Sequence, residues 1–289
     1  MTVVGAAGNS RIRALVTGGA GVLAGHLIAA VPAGVELHLT EHSTPVDDAR
    51  RRLAEVHRVD LRDGEATAAL VDRVRPDVVV HTAYRQSDRA DVVDATDHVA
   101  AASAEVDAAL VALSTDVVFA GDRPPYGETD PVDPVTDYGR WKVEAEQACV
   151  AAVSDACLVR VSLIVALDPP DRVTASLLDA IDAGERPTMF VDEWRQPAAA
   201  TDLATAIWAI VALDRPDRAG VWHLPGPEWC SRFELALAIA RATGRDPAAV
   251  AEAHQADHPS VRPQDPRLLT DRWRQLGITP RRVTEMRPA

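Results

Sequence analysis

Residues 11–25 read RIRALVTGGAGVLAG. The apolar first half predicts a buried strand, and an apolar segment after the glycines predicts a helix through residue 30. Between them lies the pattern G-x-x-G-x-x-A over residues 18–24. A glycine turn between a strand and a helix lets the backbone approach a pyrophosphate, which then meets the N–H groups of the helix N-terminus. The dinucleotide phosphates are therefore expected at Gly18, Gly21, Val22 and Leu23.

Apolar runs and helical patterns alternate after this motif. Strands are predicted at residues 35–40, 56–59, 78–81, 108–114 and 156–165. Helices are predicted at residues 65–74, 91–104 and 136–153. Such alternation is typical of βαβ units, and unbroken apolar strands indicate a sheet covered on both faces. The fold class is predicted as α/β, a doubly wound Rossmann-type parallel sheet.

The pattern becomes less regular after residue 165. Residues 11–165 are predicted as a dinucleotide-binding domain, with the helix near 201–213 packing back on it. Residues 166–200 and 214–289 are predicted as a smaller, irregular α/β substrate lobe with helices near 173–183 and 232–243. Residues 1–10 are expected to be a flexible tail.

Composition limits the class of function. The 289 residues carry a net charge of −13, so a basic face for nucleic acid is not expected. We see no membrane span and no secretory signal, and three cysteines without metal-binding spacing indicate reduced thiols. A cytoplasmic enzyme without a metal site is therefore expected. A homodimer is left open.

The residues after the second and third strands are candidates for the adenosine end of the cofactor. Glu41 follows the second strand, where a carboxylate can bind a ribose 2′-hydroxyl and repel a 2′-phosphate. His42 and Ser43 are next to it and could receive that phosphate. Asp60 ends the third strand and could accept a hydrogen bond from the adenine amino group. NADH is slightly favoured and NADPH is not excluded.

Lysine usage points to the catalytic centre. The chain has 30 basic residues, and Lys142 is the single lysine among them. Arginine cannot replace lysine where a compact ammonium is required. Tyr138 lies four residues earlier, on the same face of a predicted helix. An ammonium beside a phenol should lower the tyrosine pKa, so Tyr138 is expected to protonate a carbonyl oxygen during hydride transfer.

A hydroxyl pair ends the strand before this helix. Ser114 and Thr115 stand at the carboxyl end of the strand predicted at 108–114, where ligands of open α/β sheets bind. A hydroxyl there can donate to the same carbonyl oxygen. Thr115 is favoured over Ser114.

These motifs together resemble the extended short-chain dehydrogenases/reductases, and within them the dTDP-4-dehydrorhamnose reductase family. The resemblance extends over nearly the whole chain. It includes residues 76–84 (PDVVVHTAY), 113–121 (LSTDVVFAG), 192–197 (DEWRQP), 222–226 (WHLPG) and 262–265 (RPQD), besides Tyr138 and Lys142. It implies NAD(P)H-dependent reduction of the 4-keto group of a nucleotide-activated 6-deoxysugar, in deoxysugar or secondary metabolism. In that chemistry Tyr138 is the acid, Lys142 also binds the nicotinamide ribose, and Thr115 binds the carbonyl.

The resemblance also implies further binding residues. Contacts to the dinucleotide are expected from Leu61, Thr82, Ala83 and Tyr84. Contacts to the substrate are expected from Tyr84, Asp116, Val117, Leu163 and Arg195. A planar guanidinium suits phosphate or sugar hydroxyls, which is why Arg195 is placed in the cleft.

The chain departs from the family pattern at three positions, and one of them affects the substrate. Ala24 replaces the third glycine of the loop, and Asp94 stands where asparagine is usual. Leu163 stands where the rhamnose enzymes usually have tryptophan, which leaves the exact sugar open.

Three alternatives remain beside the sugar reductase. Leu163 also motivates a ketoreductase acting on a non-nucleotide natural product. A dehydratase or epimerase that recycles its own NAD is disfavoured, because Thr115-Asp116 is followed by Val117 rather than a second carboxylate. A non-catalytic dinucleotide-binding subunit, similar to the β-subunit of methionine adenosyltransferase, is the third. The single lysine favours a working catalytic site over it.

Overall fold

The computed structural model describes residues 11–287. The tail predicted at residues 1–10 lies outside this range. The strands are β1 Ile12–Thr17, β2 Val35–Glu41, β3 Glu55–Arg58, β4 Val78–His81, β5 Ala109–Thr115, β6 Cys157–Val161, β7 Ile164–Val165, β8 Thr188–Phe190, β9 Trp194–Arg195, β10 Ala198–Ala199, β11 Gly220–His223, β12 Cys230–Ser231 and β13 Ala251–Ala253. The helices are α1 Val22–Ala29, α2 Asp48–Arg51, α3 Gly64–Val74, α4 Ala95–Glu105, α5 Asp137–Ala152, α6 Arg172–Asp182, α7 Ala200–Val211, α8 Arg215–Arg218, α9 Arg232–Ala242 and α10 Arg272–Gln275.

The centre of the protein is a parallel sheet. Within the described residues it has seven strands in the order β11-β6-β5-β4-β1-β2-β3. Consecutive β1 side chains enter opposite cores, because successive residues of a strand point to opposite faces. Ala14 and Val16 pack with α1 and α7, whereas Leu15 packs with α3, α4 and α5. This arrangement confirms the predicted doubly wound Rossmann-type fold.

The strand predicted at residues 156–165 is wrong as one element. It divides into β6 and β7, and β7 pairs with β10 outside the central sheet. The cause lies at Ser162, whose hydroxyl donates to Asp116 (2.6 Å) and accepts from the Gln196 backbone N–H (3.2 Å). These bonds turn the chain away from the sheet and towards the second lobe.

The predicted lobe 214–289 contains one strand that does not belong to it. β11 pairs in parallel with β6 and forms an edge of the central sheet. Its Trp222 and His223 side chains are almost fully buried, which fixes the strand against the domain it completes. The short helix α2, which propensity did not indicate, begins at Asp47, whose carboxylate accepts from the Arg50 N–H.

The second lobe is built from α6, α9 and short strand pairs. Its apolar core is separate from the two cores of the main sheet and includes Leu177, Leu178, Leu235 and Ile239. Its small sheets are β7–β10, β9–β12 and β8–β13. Among residues 11–287 no helix has the length and apolar character needed to cross a membrane.

Candidate active site

A cleft of about 1000 Å³ opens at the carboxyl ends of the central strands, between the sheet and the second lobe. Ligands of open α/β folds bind at this edge. Many of the residues predicted from sequence line it: Gly18, Gly21, Val22, Leu23, Thr82, Tyr84, Thr115, Asp116, Val117, Tyr138, Leu163 and Arg195. The remaining predicted residues are not among its lining residues: Glu41, His42, Ser43, Asp60, Leu61, Ala83 and Lys142.

The glycine loop has the shape that a pyrophosphate requires. Gly18 has φ +74°, and a Cβ there would come within 3.0 Å of the Ala83 backbone. A Cβ on Gly21 would meet the Gly18 carbonyl at 3.1 Å. Helix α1 has no side-chain cap, so its first N–H groups, at Val22 and Leu23, are available to an anion. The loop therefore fits a dinucleotide phosphate.

Arg50 supports this loop and was missed by sequence reasoning. One of its terminal nitrogens donates to the carbonyls of Gly19 (2.8 Å) and Gly21 (3.0 Å). The same guanidinium lies where a Cβ on Gly25 would have to go. Arg50 thus satisfies the two loop carbonyls on the side away from the cleft, and the loop N–H groups remain on the cleft side. No sequence motif predicts this arginine, because it reaches the loop from α2, a separate element of the chain.

A buried chain of hydrogen bonds aligns β1 with the end of β4. The Thr17 hydroxyl accepts from the backbone N–H groups of Thr82 (3.0 Å) and Ala83 (3.1 Å), so it must donate to His81 Nδ1 (2.8 Å). His81 Nε2 then donates to Thr96 (3.0 Å), whose hydroxyl donates to a backbone carbonyl. Burial lowers the pKa of His81 to about 3, which keeps it neutral. Ala83 thus acts through its backbone, beside Gly18.

The predicted adenosine residues stand at the expected strand ends, but their side chains already have partners. Glu41 accepts from the Val46 N–H (2.7 Å) and from Arg51, and these bonds lower its pKa. Asp60 is held by Arg62 through two nitrogens (2.7 and 2.9 Å), which lowers its pKa to about 2.

The other three predicted adenosine neighbours differ in exposure. His42 lies 3.6 Å from Asp60, and Ser43 is exposed. Leu61 is predicted to contact the cofactor, and that contact stays a prediction. Its apolar side chain is buried in the core that includes residues of α3.

Tyr138 and Tyr84 stack across the cleft with their ring centroids 5.9 Å apart. Tyr138 is on the first turn of α5, whose start is fixed by the Thr136 hydroxyl accepting from the Gly139 N–H (3.0 Å). A Cβ on Gly139 would lie 2.3 Å from the Val117 carbonyl, so only glycine allows α5 to approach the loop after β5 this closely. The glycine between tyrosine and lysine is therefore part of the positioning.

Lys142 is buried directly behind this tyrosine pair. Its Nζ donates to the Leu113 carbonyl (2.7 Å) and lies 5.1 Å from the centre of the Tyr84 ring. Burial lowers the pKa of Lys142 to about 8. Lys142 and Tyr138 share α5, as the spacing predicted, although the ammonium bonds to a strand carbonyl instead of to Tyr138.

The expected lowering of the Tyr138 pKa is wrong for this arrangement. Burial, followed by the neighbouring Tyr84, raises the pKa of Tyr138 well above its usual value. The ammonium of Lys142 is committed to Leu113 and does not offset that burial. A phenol with a raised pKa keeps its proton, and the protonated form is the one that can donate to a carbonyl oxygen.

The structure separates the two hydroxyls at the end of β5. Ser114 donates to Glu146 (2.5 Å), which is itself held by two nitrogens of Arg160 (2.7 and 2.9 Å) in a buried network. Thr115 makes weaker contacts at 3.3 Å, to Asp116 and from the Val117 N–H. Both residues line the cleft, but the Ser114 hydroxyl is engaged in this network, so the geometry favours Thr115 for ligand binding.

Arg195 lines the cleft, but its charge is already matched. One nitrogen lies 3.1 Å from Glu193, another 3.8 Å from Asp116, and a third donates to the carbonyls of Trp194 and Pro263. Burial raises the pKa of Asp116 against the influence of Arg195. The expectation that Arg195 offers free donors to an anionic substrate is therefore not supported by its surroundings.

Other cleft groups were missed by the sequence reasoning. Arg232, the first residue of α9, lies largely buried in the cleft wall, and burial lowers its pKa. Arg262 stands at the cleft rim, 3.8 Å from Glu193. Within residues 11–287, Glu193 Oε2 is buried without a hydrogen-bond partner. These residues come from separate loops, so spacing in the sequence could not assemble them.

Leu163 lies between the cleft and a smaller apolar recess of about 40 Å³. The recess is formed by α6 and α9 of the second lobe and includes Leu177, Leu235 and Ile239. A leucine here extends the apolar surface from the recess to the cleft wall.

The fold and the cleft define an extended short-chain dehydrogenase/reductase, an NAD(P)-dependent oxidoreductase built on a Rossmann-type sheet. The particular family follows from comparison with known sequences. The model of the RmlD substrate binding domain family matches residues 12–287, and the chain belongs to that family.

The chain is similar in sequence both to sugar-nucleotide reductases and to a subunit of methionine adenosyltransferase. The chain is 30% identical over 282 residues to a dTDP-4-keto-6-deoxy-D-glucose reductase from Streptomyces niveus, covering 93% of this chain and 92% of the relative. It is also 29% identical over 261 residues to methionine adenosyltransferase 2 subunit beta from Bos taurus, covering 81% and 76%. Among solved structures, dTDP-4-dehydrorhamnose reductase from Bacillus anthracis in complex with NADP has a TM-score of 0.75 and 20% identity, covering 93% of this chain and 94% of that one.

Proposed function

We propose that this protein reduces the 4-keto group of a nucleotide-activated 6-deoxysugar, of the dTDP-4-keto-6-deoxyhexose type. NAD(P)H held by the loop at Gly18 and Gly21 would supply the hydride for the carbonyl carbon. The carbonyl π electrons move to oxygen, and the Tyr138 hydroxyl gives its proton to that oxygen. The product is a secondary alcohol, and Tyr138 recovers a proton from solvent.

One observation carries the proposal: the phosphate loop, the Tyr138 ring and Thr115 line the same cleft at the carboxyl edge of the sheet. A dinucleotide with its phosphates at Gly18 and Gly21 extends along this edge towards β5. A carbonyl held by the Thr115 hydroxyl then lies within the reach of a protonated Tyr138. The raised pKa of Tyr138 suits reduction, because the acid must hold its proton until hydride arrives.

Lys142 is assigned a supporting part in this chemistry. Its side chain comes from the helix that carries Tyr138 and its ammonium lies under the Tyr84 ring, so it favours negative charge on a phenol as the proton leaves. The nicotinamide ribose is its proposed second partner. Although burial lowers the pKa of Lys142 to about 8, the side chain is still mostly charged at neutral pH.

The second lobe offers the groups that a nucleotide sugar needs. Arg232 and Arg262 are the proposed contacts for the diphosphate, because Arg195 is already neutralised by carboxylates. Glu193 Oε2 is a buried acceptor at the cleft and suits a donating sugar hydroxyl. Leu163 and the recess behind it suit an apolar substituent such as a 6-methyl group.

Cofactor preference is proposed from the end of β2. Glu41 favours NADH through the ribose hydroxyl, in line with the sequence argument. Arg51 is beside that carboxylate, with its side chain 38% exposed, and offers a charge to the 2′-phosphate of NADPH. We propose that both cofactors bind. Titration with NADH and with NADPH separates the contribution of Glu41 from that of Arg51.

The test is oxidation of NADH and NADPH, followed by absorbance, with a panel of dTDP-4-keto-6-deoxy sugars and free ketones. Wild type should consume cofactor only with the nucleotide sugars. Tyr138→Phe and Lys142→Arg should each lose about 10²–10⁴-fold in rate while cofactor affinity is retained. Turnover of free ketones alone would support reduction of a non-nucleotide natural product instead.

A regulatory subunit is the second candidate, favoured by the 29% identity to a methionine adenosyltransferase β-subunit. In that case the protein binds a dinucleotide and oxidises it with none of the ketones. Lys142→Arg would then be silent in every binding assay. Full turnover by Lys142→Arg would contradict the catalytic assignment of the lysine.

A further inference from the structure

Two adjacent strands far from Tyr138 carry the same short pattern. β2 contains Glu36-x-His38 and β3 contains Glu55-x-His57. Residues two apart on a strand share a face. The register of the parallel pair sets His38 opposite Glu55, so the four side chains occupy one face of the sheet near its edge.

The side chains converge to a small cluster on this face. His38 Nδ1 and His57 Nε2 are 3.0 Å apart, and the two rings stack with centroids separated by 5.2 Å. The Glu55 carboxylate lies 3.7 Å from His38 Nδ1 and 3.8 Å from His57 Nε2. Both histidines are buried, whereas the Glu55 side chain is 68% exposed. One ligand atom from each residue lies within 4.8 Å of the others.

Glu36 determines which nitrogen of His38 carries hydrogen. Its carboxylate accepts from His38 Nε2 at 3.2 Å, so Nδ1 holds a lone pair directed at His57. Arg13 donates to the same carboxylate oxygen and keeps it ionised. A carboxylate that orients a histidine through the far ring nitrogen is the usual support for a histidine metal ligand.

We propose that His38, His57 and Glu55 bind one Zn²⁺ ion at this sheet edge. The ligand atoms are His38 Nδ1, His57 Nε2 and a Glu55 oxygen. Water takes the fourth position, because the site is open to solvent on the side of the exposed Glu55. Two imidazoles and one carboxylate suit zinc among the divalent ions, and an open position is compatible with tetrahedral geometry. Zinc replaces the proton shared between the two histidines, which is released to solvent.

The distances require little movement. Tetrahedral Zn²⁺ with bonds of about 2.0–2.1 Å holds its ligand atoms roughly 3.3 Å apart. The two nitrogens therefore separate by a few tenths of an ångström, and the flexible Glu55 side chain moves inwards by a similar amount. The sequence analysis expected no metal, because the ligands lie on two strands and are brought together by register alone.

The structural consequence is a clamp on an edge strand. Among residues 11–287, β3 is the last strand of the sheet and pairs on one side, with β2. An ion with ligands on both strands links them through side chains as well as backbone. The effect is expected in stability and not in the chemistry at Tyr138, so this proposal is independent of the proposed reductase activity.

The experiment is zinc binding by the whole protein after dialysis against EDTA. Calorimetric titration with Zn²⁺ should show one site, and at a free zinc concentration of a hundred times Kd the thermal midpoint should rise by about 4 °C. Co²⁺ in place of Zn²⁺ should give visible absorption bands of a site with fewer than six ligands. Mg²⁺ should give neither effect.

Variants decide the ligand set. Glu55→Gln alters an exposed side chain and should preserve the fold, yet weaken zinc binding at least tenfold. His57→Gln should abolish it. Glu185→Gln, an exposed glutamate in the second lobe, is the matched control and should bind zinc as wild type does. Unchanged affinity in both Glu55→Gln and His57→Gln, or no binding by wild type, would overturn the proposal and leave a hydrogen-bonded histidine pair.

Discussion

Replacing Lys142 with methionine should abolish reductase activity and change the pH dependence of stability. The side chain is buried, and burial lowers its pKa from 10.5 to about 8. Each pKa unit corresponds to about 1.36 kcal/mol, so keeping the ammonium charged in the folded protein costs about 3 kcal/mol at pH 7. Methionine has similar length and no charge. It removes that cost but leaves the Leu113 carbonyl without its donor, which costs about 1–3 kcal/mol.

The two effects separate when pH is varied. Between pH 8 and 10.5 the unfolded chain binds more protons at Lys142 than the folded protein does, so this residue makes wild-type stability rise with pH. The lost carbonyl bond does not depend on pH and cancels in the comparison. The free energy of unfolding of Lys142→Met relative to wild type should therefore fall by about 2 kcal/mol between pH 7 and about pH 9.5.

Urea unfolding of both proteins at several pH values measures this difference, with turnover and cofactor titration in parallel. The expected combination is lost turnover, retained cofactor binding and a stability of the variant, relative to wild type, that falls as pH rises. A stability difference that stays constant over this pH range would refute the buried, shifted ammonium. Retained turnover would refute its catalytic part.

The remaining predictions address the loop, the carbonyl site, pH and the substrate. Gly21→Asp places a carboxylate where the phosphates are expected and should abolish binding in titrations with NADH and NADPH, whereas unchanged affinity would contradict the loop assignment. Thr115→Val should lower kcat/KM by about 10²–10³-fold. Ser114→Ala should instead lower the free energy of unfolding by about 1–3 kcal/mol, because the network behind β5 loses a donor; equal kinetic effects of the two would count against the distinction. The kcat/KM of wild type should fall above about pH 8 as Lys142 loses its proton, and a profile flat to pH 10 would contradict this. Arg232→Ala should raise KM for a nucleotide sugar without changing cofactor affinity, as measured by paired titrations.

The central fold was accessible from sequence because its signals are local. Glycines between a strand and a helix, and apolar runs such as residues 78–81, depend only on neighbouring residues. The edge strand β11 was not accessible in this way. It is four residues long, lies after the second lobe begins, and is a strand only because β6 presents an unpaired edge to it. The break at Ser162 has the same origin, since its partner Asp116 is distant in the chain.

The site divides along the same line. Tyr138 and Lys142 are four apart on one helix, so spacing alone predicted a shared face. Their electrostatics were not predictable, because the pKa of each is set by burial and by groups from other elements. The Lys142 ammonium donates to the Leu113 carbonyl, and the Tyr84 ring stacks on Tyr138. A residue type and its spacing identify a catalytic pair, but the packing around it determines its protonation.

The buried ion pairs behind the cleft are better explained as fixing the positions of neighbouring elements than as stabilising the fold. Arg160 with Glu146, and Arg195 with Glu193 and Asp116, are buried pairs, and such pairs seldom stabilise a protein more than apolar residues of the same size. Both sets join elements that must keep a fixed relation. The first set anchors β5 to α5 and β6 beneath Thr115, and the second joins the end of β5 to the second lobe. Removing one member leaves a buried charge unmatched, which costs about 3–5 kcal/mol, so neither set can relax without loss of structure. The contact of Arg195 with Asp116, with Glu193 behind it, therefore helps to hold the substrate lobe against the end of β5 beside the cleft.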